Sequence, residues 1–160
     1  MFSRNQTNSN LSGINTNAKA NDVSSEEIFH LIEDKNGEKI IEYINDPKYK
    51  IWKIRDENNS TILHKSCFFD YIEMSTIIIQ ELKKRFGSSA QLSNFINEKT
   101  DGGLTALHYA AFKGNLELSK ILIKNGASVN AITNLGKNII HLSSEGNQPS
   151  LMIYFLMKEK

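Results

Sequence analysis

The sequence predicts an all-α solenoid of about four stacked helix-turn-helix repeats, joined by loops or short β-hairpin fingers. One observation is a complete unit over residues 101–130, where Thr105 can cap a first helix, Gly114 breaks the chain and Gly126 ends a second helix. Another is the recurrence of this pattern along the chain. Because a single unit cannot bury its apolar face alone, neighbouring units are expected on either side.

The spacing of the histidines gives the period. His108 and His141 are 33 residues apart, His64 and His108 are 44 apart, and His30 lies 34 before His64. The longer interval equals one period of 33 plus an insertion of 11 residues. The pattern predicts repeats over about 24–54, 55–98, 99–131 and 132–160, preceded by a disordered tail, rich in Asn and Ser, over 1–23.

The most regular repeat carries a family signature. Residues 103–111 read Gly-Leu-Thr-Ala-Leu-His-Tyr-Ala-Ala, and the unit closes with Gly-Ala-Ser-Val-Asn at 126–130. This order resembles the ankyrin repeat, whose Thr-Pro-Leu-His-x-Ala motif differs only by Ala106 in place of proline. Proline at a first helical turn pre-sets φ but is not required. The resemblance covers about 24–160 and implies a solenoid that binds other proteins.

The first repeat is expected to be degenerate because a terminal repeat meets water on one side. Ser24 and Glu27 have capping-box spacing before its first apolar run. Residues 36–37 read Asn-Gly and predict a turn, and a second helix then ends at Asp46 before proline.

In the second repeat Thr61 takes the cap position, Cys67 a small-residue slot and Asp70 the place of the breaking glycine. Its second helix is predicted to be long, reaching Phe86, and to be followed by an inserted loop over 88–94.

The fourth repeat has Asn138 at the cap, and its second helix is predicted to start at residues 148–149, Gln-Pro. Seven consecutive apolar residues at 151–157 would surround that helix with apolar side chains. Such a helix needs cover on every side. We therefore expect either continuation of the polypeptide or self-association through this helix.

Charge and composition favour a protein as the partner. The 160 residues hold 19 basic and 18 acidic side chains, giving a net charge of +1 without a long basic run, which argues against nucleic acid. No stretch of about 18 apolar residues occurs, so direct membrane insertion is not expected. The single cysteine, Cys67, and the lack of a secretion signal favour the cytoplasm.

Catalysis, metal binding and cofactor binding are not expected. The histidines recur once per repeat, so each is better explained as a brace that hydrogen-bonds the local backbone, the role that the ankyrin resemblance implies. Cys67 lies three residues after His64, but its slot corresponds to Ala111 and calls for a small buried residue. No phosphate loop or paired-carboxylate motif occurs. The chain is therefore predicted not to be an enzyme.

The resemblance implies a partner surface on the concave face. Ankyrin repeats usually hold partners by the turn before the first helix and by the two residues after its small pair. Carried over by position, the candidate binding residues are Phe68, Phe69, Asp101, Leu104, Phe112, Lys113, Leu135, Lys137 and Glu145. Aromatic side chains in such slots suit an interface. The alternative is that Phe68 or Phe69 packs under the neighbouring repeat.

A second, shorter resemblance lies at residues 136–149, which are similar to a stretch of the ankyrin domains fused to Asp-His-His-Cys-type palmitoyltransferases. It implies a cytosolic substrate-docking fragment of a larger membrane enzyme. The chain itself contains no Asp-His-His-Cys motif. The leading hypothesis is thus a non-catalytic module that binds another protein, of unknown identity, through a concave face.

Overall fold

The computed structural model describes residues 24–158, which form helices and loops with no strand among them. The helices are α1 (Ser25–Glu33), α2 (Gly37–Asn45), a 3₁₀ turn (Ile51–Lys53), α3 (Ile62–Phe68), α4 (Ile72–Phe86), α5 (Ser89–Ile96), α6 (Ala106–Lys113), α7 (Leu116–Lys124), α8 (Ile139–Glu145) and α9 (Pro149–Lys158). The predicted all-α repeat solenoid is confirmed. The tail predicted to be disordered, 1–23, lies outside the described residues.

The helices form two layers. Helices α1, α3, α6 and α8 pack side by side in chain order as an inner layer. Helix α4 packs against both α2 and α7 in an outer layer, and α9 lies on α8. Small side chains let the inner helices approach closely: Ala110, Ala111 and Cys67 are fully buried, as are Ser66 and Ser143. The predicted slots for small residues therefore lie where the repeats meet, except for Ser144 of the last repeat, which is exposed.

The helix starts follow the predicted caps. Thr61, Thr105 and Asn138 each form a capping box in which the third helical residue is a histidine. The ends of α3 and α6 need a left-handed residue. Gly114 supplies it at φ 77°, and Asp70 supplies it at φ 55° in the place where the other repeat has glycine.

The insertion in the second repeat differs from the prediction. The predicted loop over 88–94 is wrong, because most of it belongs to α5. Ser88 caps this helix, its hydroxyl accepting the Gln91 N–H at 3.3 Å. Leu92, Phe95 and Ile96 are buried, and the helix packs on α4. The extra residues thus enlarge the core at the second repeat.

The apolar helix α9 is only partly covered. Leu151 and Phe155 are buried, whereas Ile153 is 55% exposed and Met157 is 72% exposed. Within the part of the chain that the structure describes, every helix is too short or too polar to cross a bilayer.

Candidate functional site

The loops that precede the inner helices form linked fingers. Each finger is closed by a backbone hydrogen bond across its tip, namely Asp56 N–H to Ser60 O, Thr100 N–H to Leu104 O, and Thr133 N–H to Lys137 O. Neighbouring fingers are also joined, since the N–H of Asp101 donates to Asn58 O at 3.0 Å and that of Asn134 donates to Gly102 O at 3.1 Å. The fingers therefore extend the inner helices as one continuous surface.

Two buried histidines fix this surface in place. Nδ1 of His64 accepts the Thr61 N–H at 3.0 Å, so Nε2 carries the proton and donates to Glu98 O at 3.0 Å. His108 repeats the arrangement, with Thr105 N–H at 3.0 Å and Ala131 O at 3.2 Å. Each ring thus connects its own helix cap to the start of the next finger.

Burial keeps these rings neutral. It lowers the pKa of His64 to about 4, and it also lowers the pKa of His108. A neutral imidazole is what the hydrogen-bond pattern requires, because Nδ1 must be unprotonated to accept the N–H of the cap residue.

The other two histidines differ. His141 also accepts the N–H of its cap residue, Asn138, at 3.2 Å, but its ring is exposed. The predicted bracing role is wrong for His30, which is exposed and lies 3.7 Å from Glu33. Because α1 starts at Ser25, His30 is the sixth residue of the helix and cannot reach the cap, whereas the bracing histidines are third. Within residues 24–158 no group of His, Cys, Asp and Glu is arranged to hold a metal ion.

Cys67 does not have the environment of a nucleophile. Its side chain is fully buried, with Ser75 Oγ 3.9 Å from Sγ. Burial raises the pKa of the thiol to about 12, so the thiolate is absent at neutral pH.

An aromatic cluster lies at the centre of the inner helices and consists of Phe68, Phe69 and Tyr109. Phe68 meets both other rings edge to face, with centroid distances of 5.0 Å to Phe69 and 5.7 Å to Tyr109. The ammonium of Lys113 lies 4.7 Å from the Phe68 ring centroid. Phe68 keeps 39% of its surface exposed and Phe69 is half-buried. The structure therefore brings three of the predicted residues, Phe68, Phe69 and Lys113, together.

Two open grooves flank this cluster. The first groove lies between repeats one and two and is lined by Ser25, Glu26, Phe29, His30, Glu33, Arg55, Asp56, Glu57, Lys65 and Phe69. The second groove lies between repeats two and three and is lined by Asn58, Ser60, His64, Lys65, Phe68, Thr100, Gly102, Leu104 and Tyr109. Of the predicted residues, Phe69 belongs to the first groove, and Phe68 and Leu104 belong to the second.

The remaining predicted residues lie at other places on the repeats. Phe112, near the end of α6, is 39% exposed, and Leu135, in the last finger, is 80% exposed. Lys137 and Glu145 pair with each other, with Nζ 2.6 Å from Oε1. Asp101 uses its backbone to join the fingers, and its side chain is left exposed.

Phe29, Lys65 and Tyr109 are among the groove residues that were not predicted from the sequence. Lys65 and Tyr109 each directly follow the bracing histidine, a position on the inner helix that differs between repeats. That register was visible in the sequence and could have identified them. Phe29 could not be found this way, because the histidine of the first repeat is displaced from the cap.

Ion pairs leave the first groove with unbalanced acidic charge. Nζ of Lys65 lies 2.8 Å from Asp56 Oδ2, and Arg55 pairs with Glu98. Burial opposes ionisation of Asp56, but hydrogen bonds from Lys65 and Ser60 outweigh it and lower the pKa of that carboxyl. Both cations that line the groove are thus already neutralised.

Comparison with known proteins agrees with the repeat pattern. A family model described as ankyrin repeats in three copies matches residues 10–160. The Notch-regulated ankyrin repeat-containing protein of Homo sapiens is 31% identical over 81 residues, covering 51% of this chain and 71% of the relative. A probable E3 ubiquitin-protein ligase, XBOS33, of Oryza sativa subsp. japonica is 47% identical over 49 residues, covering 31% of this chain and 9% of that protein.

A chain in the crystal structure of the yeast ribosomal protein Rps3 in complex with its chaperone Yar1 has the same fold. It superposes with a TM-score of 0.76 at 23% identity, and the match covers 84% of this chain and 91% of that one. None of these similar proteins is named as a palmitoyltransferase, so they do not support the second resemblance. The matched repeats, the capped inner helices and the histidine braces together show that this chain belongs to the ankyrin-repeat family.

Proposed function

We propose that this chain is a non-catalytic module that binds another protein through the concave face formed by α1, α3, α6, α8 and the fingers. The observation that carries the proposal is the exposed aromatic cluster. Phe68 is 39% exposed although it contacts two other rings and a lysine, so a large apolar side chain is held at the surface. Aromatic anchors of this kind dominate the binding energy of interfaces.

The rigidity of the surface supports the same proposal. The bonds between fingers and the braces of His64 and His108 hold the concave face in one arrangement before a partner arrives. A preorganised surface loses less conformational entropy on binding. The buried, protonated thiol of Cys67 offers no competing catalytic function.

The experiment compares variants side by side. Immobilised wild type, Phe68→Ala, Phe112→Ala and Ile153→Ala are incubated with the same cell extract, and bound proteins are quantified by mass spectrometry. We expect the specific partners to be lost with Phe68→Ala and Phe112→Ala and kept with Ile153→Ala, whose side chain lies on α9. Thermal unfolding of each variant serves as the folding control.

Two outcomes would contradict the proposal. Loss of partners only with Ile153→Ala would show that the interface lies on α9. A fall in stability that precedes any loss of binding for Phe68→Ala would show that this ring is a core residue.

We also propose that α9 mediates self-association. Three apolar side chains on this helix, Ile153, Leu156 and Met157, are exposed, and a contiguous apolar face of this kind is typical of an interaction site. Analytical ultracentrifugation should show concentration-dependent association that the pair Ile153→Lys and Leu156→Lys abolishes. A monomer at tens of micromolar, unchanged by that pair, would contradict it.

The cytoplasm is the compartment that we propose. The unpaired Cys67 supports it, because a buried thiol without a disulfide partner suits a reducing setting.

A further inference from the structure

We propose that the concave face takes an extended segment of its partner that carries an aliphatic or aromatic side chain and, about three residues away, an arginine or lysine. This inference rests on the proposed function and adds the chemistry of the partner. The apolar side chain would enter the second groove, and the basic side chain would enter the first groove.

The second groove is suited to an apolar side chain. Phe68, Leu104 and Tyr109 line its apolar part, and the Phe68 and Tyr109 rings meet edge to face at 5.7 Å. Two of its polar groups are already engaged, since the ring of His64 braces the finger and the Thr100 hydroxyl accepts the Leu104 N–H at 3.2 Å. An apolar side chain inserted here would break neither of these hydrogen bonds and would cover the rings of Phe68 and Tyr109.

The first groove has the opposite character. Its carboxylates are those of Glu26, Glu33, Asp56 and Glu57, and its cations are Arg55 and Lys65. Arg55 is held by Glu98, and Lys65 by Asp56 at 2.8 Å. Neither cation can neutralise the remaining carboxylates, so the groove keeps a negative potential that an incoming cation would balance.

Two of the carboxylates in the first groove are unpaired. Glu26 in the first turn of α1 and Glu57 in the first finger are both exposed and make no ion pair among the described residues. Among the described residues, the one ion-pair contact of Glu33 is with His30, at 3.7 Å. Phe29 and Phe69 line the same groove, where the Lys65 ammonium already lies 5.8 Å from the Phe29 ring centroid. The half-buried Phe69 is therefore the ring against which the alkyl part of an arginine or lysine would pack.

The positions of the two grooves determine how far apart the apolar and basic side chains of the segment are, and which groove takes the basic one. Phe69 in the first groove and Phe68 in the second are adjacent in sequence, with ring centroids 5.0 Å apart, so the phenylalanine pair separates the grooves. Packed helices lie about 8–10 Å apart, and an extended chain in the polyproline II conformation advances about 3.1 Å per residue and brings every third side chain back to the same face. Two to four residues therefore separate the side chains that occupy neighbouring grooves. Lys113, 4.7 Å from the Phe68 ring, disfavours a cation beside the second groove.

The test uses a random peptide library displayed on phage and selected against the whole 160-residue chain. Selected peptides are then synthesised with a fluorescent label, and their affinity is measured by fluorescence anisotropy. We expect enrichment of arginine or lysine about two to four residues from a leucine, isoleucine or phenylalanine. Replacing that basic residue by glutamine in the peptide should weaken binding about tenfold or more.

Matched variants of the protein test which of its carboxylates bind the basic side chain of the peptide. Glu26→Gln with Glu57→Gln should weaken the selected peptides by about tenfold, and added salt should remove most of that difference. The control pair, Glu73→Gln with Glu117→Gln, makes the same change in charge at two exposed sites on the outer helices α4 and α7. This control pair should leave affinity unchanged.

The outcomes separate the inference from the proposed function. Peptides without a basic residue that lose affinity on Phe68→Ala would overturn the inference and leave the concave face as the binding surface. Peptides that are insensitive to Phe68→Ala and to both glutamate pairs would count against the concave face itself. A library that yields no binder also overturns the inference, because an extended segment is what it requires.

Discussion

Repeat three and repeat one have the same helix-turn-helix plan, but only repeat three is tied to its neighbour by a buried histidine. In repeat three His108 joins its own cap to Ala131, which begins the next finger. In repeat one His30 is exposed and contacts only Glu33. The residue type is the same in both, so position relative to the helix start decides what a histidine does.

This difference shows that the brace belongs to the boundary between two repeats. His108 needs a capping residue three positions earlier and a carbonyl from the following finger, and repeat one provides neither for His30. Repeat one is held instead by packing of Ile28, Leu31 and Ile32 against the core. Repeat three should therefore lose more stability than repeat one when a buried leucine of the inner helix is truncated in each.

The largest effect is expected for Leu107→Ala. Leu107 is fully buried in α6 between two neighbouring repeats, and removing its side chain should cost about 2–5 kcal/mol in the free energy of unfolding. Leu31→Ala in α1 should cost less, because Leu31 is 9% exposed at the edge of the stack and its surroundings can relax. Urea unfolding measures both. Equal losses would show that the two repeats are held equally.

A smaller loss is expected for Gly146→Ala. A Cβ at Gly146 would lie 1.9 Å from the backbone oxygen of Phe112, so α6 and α8 would have to move apart, at a cost of about 1–3 kcal/mol. Gly37→Ala, at the start of α2 in repeat one, is the comparison, because the Cβ there would meet the Tyr71 hydroxyl at 2.6 Å. That hydroxyl ends a flexible side chain and can turn away. Thermal unfolding should therefore show a clear loss only for Gly146→Ala.

The features that could be predicted from the sequence are those that lie within one repeat. The repeat period, the caps at Thr61, Thr105 and Asn138, and the place of Asp70 at the break between two helices all depend on local patterns, and the structure confirms them. The same local logic could have found α5, since Ser88 and Gln91 have capping-box spacing. Serine occurs at positions 88, 89 and 93 after Gly87, and it is typical both of helix caps and of loops, so composition does not distinguish the two here.

The candidate site was less predictable, because its properties arise between repeats. The positions of Phe68 and Lys113 follow from register, but the contact between them depends on how α3 packs against α6. The negative charge of the first groove depends on which cations are already paired, and Arg55 finds its partner Glu98 some 43 residues away in sequence. The partner-binding role of the predicted residues remains a proposal.

The braced repeats should make stability depend on pH. The pKa of His64 is about 4 in the folded chain and about 6.5 when unfolded, so the unfolded state binds more protons between these values. Stability should therefore be complete above about pH 6.5 and fall as pH decreases toward about 4, with a loss of roughly 2 kcal/mol at pH 5 from His64 alone. His108 adds to this loss, since burial lowers its pKa as well.

Urea unfolding at pH 7 and at pH 5 tests this dependence with two single replacements. His30→Gln should keep the full difference between the two pH values, because that ring is exposed in repeat one. His64→Asn should reduce the difference while lowering stability at both values. A pH dependence that is unchanged by His64→Asn would show that other groups control it.

The smallest effect is expected for Cys67→Ala, which compares repeat two with repeat three at one buried slot. Ala111 already occupies this slot in repeat three, and both side chains are fully buried between inner helices. Removing the sulfur leaves a small void and ends a 3.9 Å contact with Ser75 Oγ, whose hydroxyl still donates to Ser66 Oγ at 2.8 Å. The cost in the free energy of unfolding should be about 1 kcal/mol.

Peptide binding should not depend on Cys67 either. Because burial raises the pKa of the thiol to about 12, no thiolate function is lost on Cys67→Ala. Peptide affinity measured by anisotropy should therefore stay within about twofold of wild type. An affinity loss beyond tenfold, with the fold intact by circular dichroism, would show that the buried thiol has a functional role.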